Sequence, residues 1–254
     1  MFGFARRPAR PALPPHVVVR LADRDLRVTL KPSSRATRFI LRLGHGAADP
    51  VLTVPERARL ADAEDFLERH RGWLSDRLAR RPAGVAFTDG AVVPLRGVEH
   101  RIAHRPGQRG TVWVERAPEP EALPLLCVAG RPEHLARRLR DHFRRAARAD
   151  LLPAVARHAE RLGVPTPSRI RIKDTRSRWG SCTADGELAF SWRVILAPPQ
   201  VLDYLAAHEV AHLREMNHSV RFWRLVRETC PDMDAGRRWL RLHGAGLHGY
   251  DAEP

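Results

Sequence analysis

The spacing of apolar residues shifts from a period of two toward a period of about 3.6 along this 254-residue chain, which limits the fold more than any other feature. Val17–Val19, Leu26/Val28/Leu30, Phe39/Leu41/Leu43 and Val51–Val54 read as four short strands, with turns at Pro32-Ser33-Ser34 and Gly44-His45-Gly46. Between Glu56 and Arg80 one helical face gathers Phe66, Leu67, His70, Trp73, Leu74 and Leu78. A second strand-like stretch runs from Val85 to Val128, interrupted by Asp89-Gly90, Pro106-Gly107 and Pro118–Pro120. Past Gly130-Arg131-Pro132 the spacing is mainly helical.

From Glu133 to Arg161 the stripe is Leu135, Leu139, Phe143 and Ala147, and Pro153 is expected to kink or split that helix. Arg169–Lys173 and Glu187–Trp192 alternate as strands around an Ala184-Asp185-Gly186 turn, the pattern of a hairpin. Pro198-Pro199 open a helix running to about Met216. Two more are expected near Val220–Thr229 and Asp234–Leu242, the latter closed by Gly244. No internal repeat is evident. The order predicts an α+β chain: a disordered Pro/Arg-rich tail (1–15), a β-rich module with one helix (16–130), a second domain (131–245) and a short tail (246–254).

Composition removes several classes. No run approaches the ~20 apolar residues of a membrane span, and the acid-free first 22 residues lack the apolar core of a secretory signal. Cys127, Cys182 and Cys230 are odd in number and far apart, which excludes a disulfide framework and points to a reducing, cytoplasmic setting. The net charge of +15 suggests a nucleic-acid partner, yet it is spread. There are 22 basic against 14 acidic residues up to Gly130 and 22 against 15 beyond it. Denser runs lie at Arg137–Arg148 and Arg169–Arg178, but no zinc-finger, RRM or helix-turn-helix signature accompanies them. Solvated faces explain such charge more simply.

The sharper signal is His208-Glu209-Val210-Ala211-His212. Histidines at i and i+4 share one side of a helix and can grip one metal ion, while the glutamate between them is free to take a proton from water. A site that does chemistry needs a third protein ligand and an open position. His218, six residues after His212 and past the expected helix end, can supply it through a turn. The pair arises by chance in such a chain roughly 4% of the time, and with a third histidine at a fixed offset roughly 0.2%. The metal reading therefore outweighs simple packing.

Arg178-Trp179-Gly180-Ser181-Cys182, then Leu188–Ala197, then His208–His212, then Asn217-His218-Ser219 with Phe222-Trp223, resembles the YgjP-like zinc metallopeptidase family. That family is related to the WLM and SprT-like metallopeptidases of zincin type. The resemblance covers residues 17 to 245 and is densest from Asp174 to Pro231. It implies a zincin-like core preceded by a β-rich N-terminal module, and hydrolysis of peptide bonds in a protein or peptide substrate. One Zn2+ per chain would be held by His208, His212 and His218, with Glu209 as general base. Arg178, Trp179, Gly180, Ser181, Leu188 and Phe190 would line the substrate cleft, and the strand Leu188–Trp192 would be an edge that pairs with substrate backbone. Glu215 stands where metzincins carry glycine, which suits a tighter exit from the helix.

Several residues keep two readings. The oxyanion donor is either Arg176 or Arg178, or a backbone amide of Leu188–Trp192. Trp179 lines the cleft or wedges into the core; Cys182 is a fourth ligand or, on the simpler view, a buried thiol. Asp203 or Glu215 could orient a ligand imidazole, and Asn217 and Ser219 shape a turn and cap a helix. Phe222, Trp223, Val226, Trp239, Leu240 and Leu242 are expected in the core, and His243 and His248 in solvent. The alternative to a peptidase is a nucleic-acid-associated zinc protein, either a protease acting on DNA-bound proteins or a non-catalytic module.

Overall fold

The computed structural model describes residues 13–43, 49–79, 84–117, 119, 121–175 and 178–251. Among them lie six α-helices and three small mixed sheets. The chain divides into two compact units, residues 1–82 and 83–254.

In the first unit β1 (His16–Arg20), β2 (Asp25–Ser33), β3 (Ile40–Arg42) and β4 (Val51–Pro55) form a sheet of order β1-β2-β4-β3. β1/β2 and β3/β4 are antiparallel and β2/β4 is parallel. The alternation works as period two requires: Leu26, Val28 and Leu30 point inward with Leu52 and Val54, and polar neighbours point out. Two helices, α1 (Leu60–Arg69) and α2 (Arg71–Ala79), add Ala63, Leu67, Leu74 and Leu78 to that core. One helix was expected here. It breaks at His70, whose Nδ1–H donates to the Phe66 carbonyl at 2.8 Å, while its backbone N–H turns back to Phe66 and Leu67. Trp73, placed on the apolar face by sequence, is 42% exposed. The turn at Gly44–Gly46 and the first twelve residues of the tail fall outside the described residues.

The second unit opens with β5 (Val92–Leu95), β6 (Val98–Arg105), β7 (Val112–Glu115) and β8 (Leu125–Ala129), in the order β5-β6-β8-β7. Its pairs run antiparallel, parallel and antiparallel, as in the first sheet. The fold thus repeats a wiring that the sequence does not reveal. This sheet also corrects the boundary expected near residue 130. Val93, Leu95, Ile102, Leu126 and Val128 share one core with Leu135, Leu139 and Phe143 of α3 (Leu135–Arg161), so the strands belong with the helices that follow them. Phe143 stacks on the fully buried Trp192 at 5.8 Å. α3 runs unbroken through Pro153, which sits on the exposed face, where water can serve the carbonyl it leaves unpaired.

The third sheet joins β9 (Ile170–Lys173), β10 (Gly180–Cys182) and β11 (Leu188–Ser191) in the order β10-β11-β9. The expected hairpin of 169–173 with 187–192 is not formed: β9 and β11 are parallel, and the antiparallel partner of β11 is β10. A turn at Thr183–Gly186 closes that hairpin, with Gly186 at φ +78, a conformation that favours glycine. Three helices complete the unit: α4 (Pro199–Ala211), α5 (Val220–Thr229) and α6 (Met233–Leu247). α4 ends five residues earlier than expected. α6 continues through Gly244, which is buried where a Cβ would lie 3.3 Å from the Trp179 indole, so this glycine serves packing and not termination. Tyr250 then bridges to Val85, so residues 246–251 are structured and not a tail. Leu242 is 66% exposed and stands outside the core. No helix among the described residues is long and apolar enough to cross a membrane.

Candidate metal centre

The buried face of α4, with Val201, Leu205, Ala206, Val210 and Ala211, fixes the helix in the core and turns His208 and His212 to one side. Their rings lie 5.1 Å apart. The amides of Leu213, Arg214 and Glu215 bond back to the Val210 and Ala211 carbonyls, so the chain leaves the helix in a tight turn. Asn217 Oδ1 then accepts from the Ser219 N–H at 3.0 Å, and Ser219 Oγ accepts from Phe222 N–H at 3.3 Å, capping α5 as expected. Between those two bonds, His218 is returned to the pair. Its ring lies 5.0 Å from His208 and 4.8 Å from His212. Phe222, fully buried, forms the floor, 4.5 to 4.9 Å from all three rings.

These residues fit a metal ion. One ligand atom from each imidazole lies within 4.8 Å of the others. His208 and His218 face each other Nε2 to Nε2 at 3.1 Å, near the ~3.3 Å separation of two ligands about 2.0 Å from one tetrahedral ion. His212 Nδ1–H donates to the Glu215 carbonyl at 3.0 Å, which leaves Nε2 as the free donor. Burial, with smaller contributions from His212, His218 and Arg237, holds His208 down to about 3. Burial lowers His212 as well, against the opposing effect of its bond to Glu215. Neutral imidazole is the form that coordinates. His208 Nδ1 is buried with no hydrogen-bond partner among the described residues.

Glu209 lies beside the triad, 4% exposed, and burial pushes its carboxyl up to about 8 while Arg178 pulls it down. Gly180 makes room for it: a Cβ there would lie 2.7 Å from both Cγ and Cδ of Glu209. A cavity of about 380 Å3 opens against His208 and Glu209, walled on one side by Trp179 and Gly180. Trp179 thus satisfies both readings, since it faces this cavity and also stacks on His248 at 4.5 Å. His248 is buried and not solvated; His243 is exposed. A second cavity of about 540 Å3 touches His212 and the β10–β11 turn.

Leu188 and Phe190 do not line the cleft. Both are fully buried, and β11 is the central strand of its sheet, paired on both sides. The edge beside α4 is β10, carrying Gly180, Ser181 and Cys182. Ser181 and Cys182 are half-buried. Cys182 stands outside the three-histidine cluster; burial, and then the charge of Glu209, push its thiol up to about 11. Arg178 is exposed and Arg176 lies outside the described residues. Asp203 reaches no ligand and pairs with His158 and Arg157 on the far side of α4. The partner of His212 is Glu215, through its backbone carbonyl and not its carboxylate.

The model of the YgjP-like metallopeptidase domain matches residues 38–243. The chain belongs to this family. The match falls within the span of the resemblance, and it makes the molecule a YgjP-like metallopeptidase-family protein whose three-histidine group can hold a metal. Two solved structures are similar over part of the YgjP-like chain. The metallopeptidase zymogen abylysin of Pyrococcus abyssi is 23% identical over 37% of this chain and 92% of its own, with a TM-score of 0.33. The metallopeptidase zymogen jannalysin of Methanocaldococcus jannaschii is 19% identical over 37% and 88%, again at 0.33. No curated protein matches. Sequence reasoning missed Tyr204, Leu205, Arg237 and Arg241, which complete the cavity wall together with Leu240, a residue expected in the core and packed against it. Their signal was present but faint: two arginines at i and i+4 on α6 of this YgjP-like chain.

Proposed function

We propose that this chain is a zinc-dependent peptidase of zincin type, with His208, His212 and His218 holding the ion and Glu209 acting as general base. The observation that carries the reading is the meeting of three imidazole donors within 4.8 Å, next to a buried carboxyl on the same helix. Zinc, when bound, would supply a Lewis acid and lower the pKa of water toward about 7. The residues around it supply the rest. Glu209 takes the proton of the attacking water at its carboxylate oxygen. It returns that proton to the nitrogen as the C–N bond breaks and the C–O bond remains. A nearby cation favours the ionised form of Glu209, against the burial that favours its neutral form. The exposed Arg178 acts in the same direction. The amides and carbonyls of the β10 edge are the backbone groups best placed to align an extended substrate.

Glu209→Gln should keep about one zinc per chain and lose peptide hydrolysis by at least ~100-fold. His218→Ala should lose zinc, read by elemental analysis of the purified protein. Hydrolysis by Glu209→Gln at the parental rate would remove the base, and unchanged zinc in His218→Ala would remove the third ligand.

A further inference from the structure

The two cavities beside the metal centre differ in charge. The one against His212 includes both Asp185 and Arg214, so its wall is mixed. The one against His208 and Glu209 includes Arg237 and Arg241 from α6, and neither arginine has an ion-pair partner among the described residues. Glu209, assigned above to the chemistry, is its one acidic wall residue.

Arg237 is held by packing. Its guanidinium carbon lies 4.2 Å from the centroid of the Trp223 ring, a cation–π contact that fixes the head group. The preceding residue, Gly236, lets α6 approach α4 closely; a Cβ there would lie 2.6 Å from the Tyr204 Cβ and 3.0 Å from the Gln200 carbonyl. Arg241, one turn beyond Arg237, falls on the same side of the helix. Trp179, Tyr204, Leu205 and Leu240 supply the apolar part of the wall, and both arginines are solvent-exposed. At about 380 Å3 the space is within the range of ligand pockets and admits a peptide residue with its backbone.

We propose that this cavity is a subsite for a carboxylate carried by the peptide substrate, bound by Arg237 and Arg241. The inference rests on the peptidase reading and deepens it: the scissile bond lies beside an acidic side chain or a C-terminal carboxylate. Guanidinium groups recognise both sources through the same forked hydrogen bonds.

Binding tests the subsite apart from catalysis. Zinc-loaded Glu209→Gln is titrated with fluorescein-labelled decapeptides containing Asp and Glu, and with matched Asn and Gln peptides, each with a free or amidated C-terminus. The dissociation constants are read by fluorescence anisotropy. A carboxylate should tighten binding by about tenfold, the order expected of one charge-assisted hydrogen bond at a part-exposed site. The gain should vanish when Arg237→Gln and Arg241→Gln are added together. Loss of the gain on replacing Asp and Glu assigns it to side chains, and loss on amidation assigns it to the terminus. Arg241→Glu, an exposed position that leaves the core intact, should turn the preference toward basic peptides. Equal affinity for acidic and amide peptides, no binding of any peptide, or a preference surviving in the double Gln variant would overturn the subsite. Wild type that fails to cut a peptide bound by Glu209→Gln would instead count against the peptidase reading. Cutting without regard to carboxylates would count against the subsite alone.

Discussion

A methyl group at position 180 would enter the space filled by the Glu209 carboxylate. Gly180→Ala should therefore move the base or the β10 edge while leaving the three histidines in place. Activity should fall about 100-fold, the scale of an ångström-sized misplacement, with zinc content unchanged by elemental analysis. Loss of zinc together with activity would show that the strand supports the metal site itself. At this scale the site was partly legible in the sequence. His208, Glu209, His212 and His218 can be found because their relation is set by helix geometry and one short turn. Arg237 and Arg241 reach the same cavity only through the packing of α6 on α4, which no local spacing encodes, whereas Tyr204 stands one turn before His208 on α4 itself. Leu188 and Phe190 were misplaced because alternation shows that a strand has two faces but not that both are covered.

Three helices, the metal-binding α4 among them, meet through a single buried imidazole. His158 of α3, fully buried, lies 2.7 Å from Thr229 Oγ1 of α5 and 3.0 Å from Asp203 Oδ1 of α4. Arg157 also pairs with Asp203, and Arg161 donates to the Thr229 carbonyl at 2.8 Å. His158 first, and then Arg157, hold the Asp203 carboxyl down to about 2, below its ordinary 3.8. A carboxyl depressed in the folded state stabilises the fold above its ordinary value, and that stability is lost as pH falls through the folded value. Wild type should thus exceed Asp203→Asn in urea midpoint at about pH 6, with the gap closing between about pH 4 and pH 2. A gap independent of pH would mean that the ion pair is not what ties α3 to α4. Element identity was legible where the pattern was long: the β1, β2 and β4 alternation and the α3 stripe. β10 was not, because Gly-Ser-Cys is three residues long and carries no alternation. The break at His70 was hidden for another reason: a side chain competes there with the helix for a carbonyl.

For the whole molecule, the net charge of +15 looks different once its arginines are placed. Within the dense run on α3, Arg138 donates to the Ala129 carbonyl, Arg140 binds Asp251 through two hydrogen bonds, and Arg148 donates to the Ile170 carbonyl. Half of the six arginines in that run are thus structural ties and not a displayed basic surface. The division at Pro82/Ala83 also puts every residue of the metal centre in the second unit. Residues 83–254 alone should therefore fold cooperatively and retain about one zinc per chain; an unfolded or metal-free fragment would show that the first unit is needed for the second to form. The family match begins at residue 38, so residues 38–82 of the first unit fall within it. The first unit's sheet has the same strand order and the same mixture of directions as the four-stranded sheet of the second unit. During synthesis or refolding each set of strands then offers the other a template, and cross-pairing between the two is a characteristic trap for chains built this way. The native state keeps two look-alike sheets from exchanging strands by closing each under its own helices, α1 and α2 over the first and α3 over the second.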